Sequence, residues 1–313
     1  MKSQNMKWHR SLPLLVSLVF LAVSASAQQS ATNTVSVSTV VSVEARHGKD
    51  VPVINREDVR VYQGHDRLPV TDWVPLQGSG AGLELFVLID EATGVDVALQ
   101  FDDVRHFLNA QPASAAVAVG YMSNGDVKIV QNFTNDHELV GKALRMPLGT
   151  VLGGNSPYLS VSEAIKRWPT GNPNRRAILL ISDGIDPMQP GMADSYLDSA
   201  IEHAQRTGTQ VYAIYASRAG HFGHTLWRIN MGQSNLSRLA DETGGEAYFQ
   251  GYETPIAFAP YLDEFANRLN HQYKLTFQIK SGDKPGYQHI RLETEVPNAE
   301  LITSNKVFVP AGK

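Results

Sequence analysis

The chemistry of this sequence starts from two carboxylates that follow apolar runs. Asp90 ends LELFVLID at 83–90, and Asp183 ends AILLISD at 177–183, with Gly184 next. Two aspartates at one place can share acid and base work or meet a ligand; each can also simply cap the turn that follows its strand. His221 and His224 stand in H-x-x-H spacing inside RAGHFGHTLWR at 218–228. Zinc needs at least one more protein ligand, and no other histidine is paired with them in the sequence. On a long loop, His221, His224, Trp227 and Arg228 are better read as contact residues for a partner. Ser156, Ser160 and Ser162 have no glycine frame of the G-x-S-x-G kind, which argues against a serine nucleophile. With no cysteine in the chain, thiolate nucleophiles, thiolate metal sites and disulfides are excluded.

Runs as apolar as 83–90 and 177–183 suit strands buried on both faces of a parallel sheet, whose C-terminal tips open at one edge. Between them, Phe101, Val104, Phe107 and Leu108 recur at helical spacing and predict a helix ending near Asn109. Strands are predicted at 115–122 and 127–133 around Asn124-Gly125, a strong hairpin signal that makes the second an antiparallel edge strand. A helix is predicted over 135–146 with Leu139, Val140 and Ala143 inward. Further helices follow from Val161, Ala164, Ile165 and Trp168, and from Leu197, Ala200, Ile201 and Ala204. A strand at 210–216 leads into a long loop, 217–233. A helix through Leu236, Leu239 and Ala240 stops at Gly244-Gly245. A short strand at 247–249 and a helix through Tyr261, Leu262, Phe265 and Leu269 complete residues 83–271. Alternating strands and helices give an α/β domain with a doubly wound, mainly parallel sheet and one antiparallel edge strand.

Small β segments flank this domain. In 28–76 the valines at 35, 37, 41 and 43 alternate with polar residues, the period of a half-buried strand. In 272–313 the run YKLTFQI at 273–279 alternates likewise. Each segment has too few strands to be stable alone, so the 35–43 and 273–279 faces are expected to pack together.

At 313 residues, 42% hydrophobic and 19% charged, the chain can bury a sizeable core without disulfides. Residues 1–27 read as a secretory signal: Lys2, Lys7 and Arg10, an apolar stretch from Leu12 to Val23, then Ala25-Ser26-Ala27. Cleavage near Ala27 gives a periplasmic or secreted protein with no transmembrane segment in the mature chain. The formal net charge is −4 and becomes more acidic once that segment is lost, which argues against nucleic acid as partner. Neither a dinucleotide fingerprint after Asp90 nor a phosphate-binding G-x-x-x-x-G-K-[ST] loop is present.

The apolar strand into Asp90, the GGNSPY loop at 153–158, LLISDGID at 179–186 and LADETGGEAYF at 239–249 together resemble a von Willebrand factor type A (VWFA) domain. With their flanks they resemble the secreted bacterial VWFA-related proteins, over nearly the whole mature chain. The resemblance implies a vWA/Rossmann-like fold and a metal-ion-dependent adhesion site at the C-terminal strand edge. Asp90, Asn155 and Asp183 occupy its positions, the Asn155 amide carbonyl standing where the family has threonine. Ala92 and Gly94 replace its two serines and offer no oxygen, so the expectation is a degenerate site that holds Mg²⁺ or Mn²⁺ weakly or not at all. Glu91, Thr93, Asp96, Ser156 and Asp186 lie near enough in sequence to compensate. Without a metal, two close carboxylates raise the proton affinity of one of them. The implied role is recognition of a protein or cell-surface polymer, not turnover. The alternatives are a structural cell-envelope module with an inactive binding edge and, further off, an unrecognised hydrolase.

Overall fold

The computed structural model describes residues 34–78, 82–149, 155–172, 174–189, 191, 194–219 and 225–312. Residues 1–27, read above as a secretory signal, and Gly153-Gly154, His221 and His224 lie outside the described residues. Chain order gives β1 (Thr34–Ala45), β2 (Arg60–Gln63), β3 (Asp66–Leu68), β4 (Val70–Pro75) and β5 (Leu83–Asp90). Then come α1 (Phe101–Asn109), β6 (Ala115–Ser123), β7 (Asp126–Thr134), α2 (His137–Lys142), α3 (Pro157–Lys166) and β8 (Arg175–Ser182). They are followed by α4 (Ser195–Thr207), β9 (Thr209–Tyr215), α5 (Leu226–Thr243), β10 (Ala247–Tyr248) and α6 (Ala259–Asn270). The chain closes with β11 (Gln272–Lys280), β12 (Gly286–His289), β13 (Arg291–Glu293), β14 (Ala299–Ile302) and β15 (Lys306–Val309).

All eight residues of β5 are buried, as an uninterrupted apolar run requires of a central strand. It pairs in parallel with β6 on one side and β8 on the other, in a six-stranded sheet of order β10-β9-β8-β5-β6-β7. Only β7 runs antiparallel, turned back by Asn124 and Gly125, both at positive φ (55° and 72°). Chain direction along the sheet reverses between β5 and β8, so the two strands flank the topological switch point. Leu83, Leu85, Val87 and Ile89 pack with α1, α2 and α6 on one face. Phe86 and Leu88 pack with α3, α4 and α5 on the other. The fold is therefore the expected doubly wound, mainly parallel α/β sheet with one antiparallel edge strand.

Two predicted boundaries differ. The helix expected over 135–146 is only one and a half turns long, and Leu139 faces solvent while Val140 and Leu144 are buried. Asp136 caps its start through the Leu139 amide, and the helix ends at Lys142 with Ala143 as its C-cap. The loop expected over 217–233 ends at Thr225, whose side chain accepts from the Arg228 amide and starts α5. Trp227 and Arg228 thus sit in a helical first turn rather than on a loop.

The flanking strands form a second sheet of order β14-β1-β11-β4. β11 lies between β1 and β4, so both its hydrogen-bonded neighbours come from the N-terminal segment. Val37, Val41 and Val43 of β1 share a buried cluster with Leu275, Phe277 and Ile279 of β11. The sheet is tied to the α/β domain through Arg268 of α6, which pairs with Glu44 of β1 at 2.5 Å and with Glu246 at 3.0 Å. Burial, resisted by Arg268, pushes the Glu44 carboxyl up to about 7. Deleting residues 34–76 removes both neighbours of β11, so residues 272–280 should become cleavable in limited proteolysis; undiminished protection would contradict this dependence.

Candidate functional site

The parallel register decides what meets at the C-terminal edge. Ile89 is level with Ile181, so Asp90 comes level with Ser182 and their side chains share a face. The Ser182 hydroxyl donates to Asp90 Oδ2 at 2.8 Å. Asp90 Oδ1 accepts from the Ala92 amide at 2.9 Å and from Asn155 Nδ2 at 2.6 Å. The carboxylate is fully buried, at 0% exposure, with three donors on its two oxygens. One residue beyond β8, Asp183 turns the other way. Its Oδ1 accepts from the Ile185 amide at 2.9 Å, and both its oxygens face the guanidinium of Arg218.

Arg218 enters from the connection that leaves β9. Its Nε donates to Asp183 Oδ2 at 2.6 Å, and its Nη2 donates to Asp183 Oδ1 and to the Ile185 carbonyl, each at 3.2 Å. This fork-to-fork geometry is the strong form of an ion pair. The arginine side chain is 9% exposed and that of Asp183 1%, so water screens the pair little. Burial works to lower the Arg218 pKa, but the carboxylates of Asp183 and Asp90 more than offset it. Burial and then the Asp183 carboxylate push Asp90 up to about 6, against the pull of Arg218. Both aspartates also cap their turns, the plainer of the roles the sequence allowed them.

Close packing of α5 on this corner shapes it further. A Cβ on Gly184 (φ +68°) would lie 2.4 Å from the Gly232 carbonyl, and one on Gly232 would lie 2.2 Å from the Asp183 carbonyl. Glycine at both positions lets helix and strand end touch backbone to backbone. The Tyr158 hydroxyl, fully buried, donates to the Gly184 carbonyl at 2.6 Å and pins the same turn from α3.

Asn155 stands beside Asp90, but not with the group the resemblance assigned. Its Nδ2 faces Asp90, and its Oδ1 is turned to the Gly125 amide at 3.3 Å. Of the neighbours near enough in sequence to compensate, all but the exposed Asp96 are committed elsewhere. Glu91 pairs with Arg145 and accepts from the Leu148 amide; the Thr93 hydroxyl donates to the Asp90 carbonyl. Ser156 donates to Asp186 and caps α3, and Asp96 is exposed. A divalent ion needs several converging oxygens, whereas here an amide NH₂ group faces Asp90 and a guanidinium covers Asp183. The donor set does not fit Mg²⁺ or Mn²⁺. Among the described residues no three histidine, aspartate or glutamate side chains converge as a metal-binding group.

Arg218 is the residue that sequence reading missed. Its one signal was position: it is the first charged residue after the strand ending at Tyr215, which a parallel sheet delivers to the same edge as Asp90 and Asp183. Of the residues read as a partner-contact loop, Trp227 is exposed and Arg228 half-buried.

The raised Asp90 pKa sets a pH dependence. A carboxyl held above its unfolded value of about 3.9 destabilises the fold when ionised, so its cost grows as pH rises from about 4 to 6 and stays above that. Asp90→Asn removes this ionisation cost, which is present at pH 8 and nearly absent at pH 4. Chemical denaturation should show the variant gaining on wild type as pH rises from 4 to 8, because the loss of an acceptor for the donors on Asp90 is common to both pH values.

No family model matches this sequence, and no curated relative does. Among solved structures, an aerotolerance-related membrane protein from Bacteroides fragilis aligns with 60% of this chain and 99% of its own, at 13% identity and TM-score 0.47. The conserved hypothetical protein BatB from Bacteroides thetaiotaomicron aligns with 60% of this chain and 97% of its own, at 13% identity and TM-score 0.45. A von Willebrand factor type A structure from Catenulispora acidiphila aligns with 81% of this chain and 76% of its own, at 10% identity and TM-score 0.44. On its own sheet order, with β7 as the one antiparallel edge strand, the fold of this chain is von Willebrand factor type A-like.

Proposed function

We propose that the α/β domain is the binding module of an exported protein and that it recognises a protein or surface polymer through the C-terminal edge of its sheet, without turnover chemistry. In this reading residues 1–27 are removed on export, and the segments 28–76 and 272–313 form one supporting β module beside the domain at 83–271. One observation carries the reading. Of the large hydrophobic side chains exposed among the described residues, all but Val53, Val74 and Leu139 stand on the connections at this edge or in the first turn of α5. Val95 and Leu99 follow β5, Met146 and Leu148 precede α3, and Met188 follows β8. Leu226 and Trp227 open α5, and Phe249, Tyr252 and Ile256 follow β10, with Ile256 95% exposed. Exposed apolar residues scattered singly are ordinary, but gathered at one edge they favour a contact surface.

The connections are also fastened to one another. The Gly94 amide donates to the Ser217 carbonyl, the Ala219 amide to the Ala92 carbonyl, and the Gly149 amide to the Glu91 carbonyl, each at 2.9 Å. A rim held in this way is preorganised, which lowers the ordering cost of binding. No helix among the described residues is long and apolar enough to cross a membrane.

The burial of Asp90, Asn155 and Asp183 favours a second reading, a structural module of the cell envelope whose edge binds nothing. The two separate in one experiment. Immobilised wild-type protein, a Trp227→Ala/Ile256→Glu variant and a Val74→Glu control are compared in quantitative capture from envelope extracts. Loss of an aromatic anchor at an interface centre costs about 2 kcal/mol or more, so specific capture should fall at least about thirtyfold in the edge variant only. Equal capture by all three proteins leaves the structural module standing and removes the binding edge.

A further inference from the structure

The geometry points to Arg218 as a built-in cation that stands where the resembling site would place a divalent ion, so that this edge is assembled without metal and does not respond to it. The guanidinium reaches over the end of β8 from the connection after β9 and closes on both oxygens of Asp183, while Asp90 lies within its field. The positions that should have supplied hydroxyl ligands fail in the same direction. Ala92 and Gly94 contribute backbone only: their amides donate to Asp90 Oδ1 and to the Ser217 carbonyl, the residue before Arg218. Thr93 bridges to Arg218 in a single antiparallel pair, and the Ala219 amide closes the same ladder on the Ala92 carbonyl. The loop after β5 is thus shaped to hold the arginine-bearing segment, and serine hydroxyls at 92 and 94 have no ion to serve.

A tethered charge differs from a bound ion in one chemical respect. A metal keeps an open coordination position for a partner's carboxylate, whereas Arg218 turns its Nε and Nη2 donors inward, to Asp183 and the Ile185 carbonyl within the protein. Among the described residues, Asp90, Asp183 and Asp186 outnumber the arginine beside them, which disfavours an acidic group there. Recognition at this edge then falls to the apolar rim, and the partner need not offer an acidic side chain. The inference about Arg218 itself holds whether or not the rim binds anything.

The test is a set of thermal melts on the mature protein in EDTA, in millimolar MgCl₂ and in millimolar MnCl₂. Wild type should melt at the same temperature in all three; a rise in metal that EDTA reverses overturns the inference. Removing one partner of a buried pair leaves the other charge uncompensated, so R218M should melt about 6–15 °C lower. Adding D183N to R218M should recover at least half of that loss, because the stranded carboxylate is gone. If R218M does not fold, recovery of soluble, folded R218M/D183N is the same result. A double variant no better than R218M, or an R218M as stable as wild type, would show that the arginine packs rather than compensates charge.

Discussion

Everything at the C-terminal edge depends on the ion pair between Arg218 and Asp183. Two carboxylates buried at the switch point of a parallel sheet cannot both stay ionised without a cation, because the desolvation cost of each is large. The guanidinium supplies that cation and is fixed by the fork geometry to one place. The connections after β5, β8 and β9 are then held together from within. Asp90 keeps a raised pKa because its burial, and then the Asp183 carboxylate, outweigh the pull of Arg218. A corner of this kind favours a single arrangement of its loops, since moving any one strands a charge in a place water does not reach.

The consequence is a division of the edge into two zones. The carboxylates of Asp90, Glu91 and Asp183 are turned inward onto hydrogen-bond partners, and large apolar side chains are outward. Glu91 repeats the pattern a few residues along, held by Arg145, whose guanidinium lies 3.9 Å from the Tyr121 ring centre. Carboxylates that look in sequence like a ring of binding groups fasten, in the fold, the loops that carry Val95 and Leu148.

The sheet was legible because β5 and β8 are too apolar to be anything but central strands, and because Asn124-Gly125 can hardly be read other than as a tight turn. The positions of Asp90 and Asp183 followed from strand direction alone. What could not be read was the direction in which each polar group points. Asn155 was placed correctly beside Asp90, but whether it offers oxygen or nitrogen is settled by the Gly125 amide, a group from a different turn. Arg218 was hidden for a related reason. A charged residue on a connection is most often solvated, and only the register of three strands brings this one onto Asp183. Helix α2 misled through its composition: Leu139 has the right spacing for an inward residue, yet the helix ends before a second turn can make that spacing count.

The placement of β11 between β1 and β4 bears on how the molecule comes to exist. Partners across the β1–β11 seam, such as Ser38 and Thr276, are 238 residues apart in the chain. Contacts of that separation are made late and slowly, because the intervening loop must be closed before they contribute. A nascent chain therefore carries the valine-rich TVSVSTVVSVEA strand with an open hydrogen-bonding edge until nearly all of the polypeptide has been made. For that interval the molecule is most exposed to pairing with its own copies, and the longer this first strand waits for one of the last, the greater that exposure.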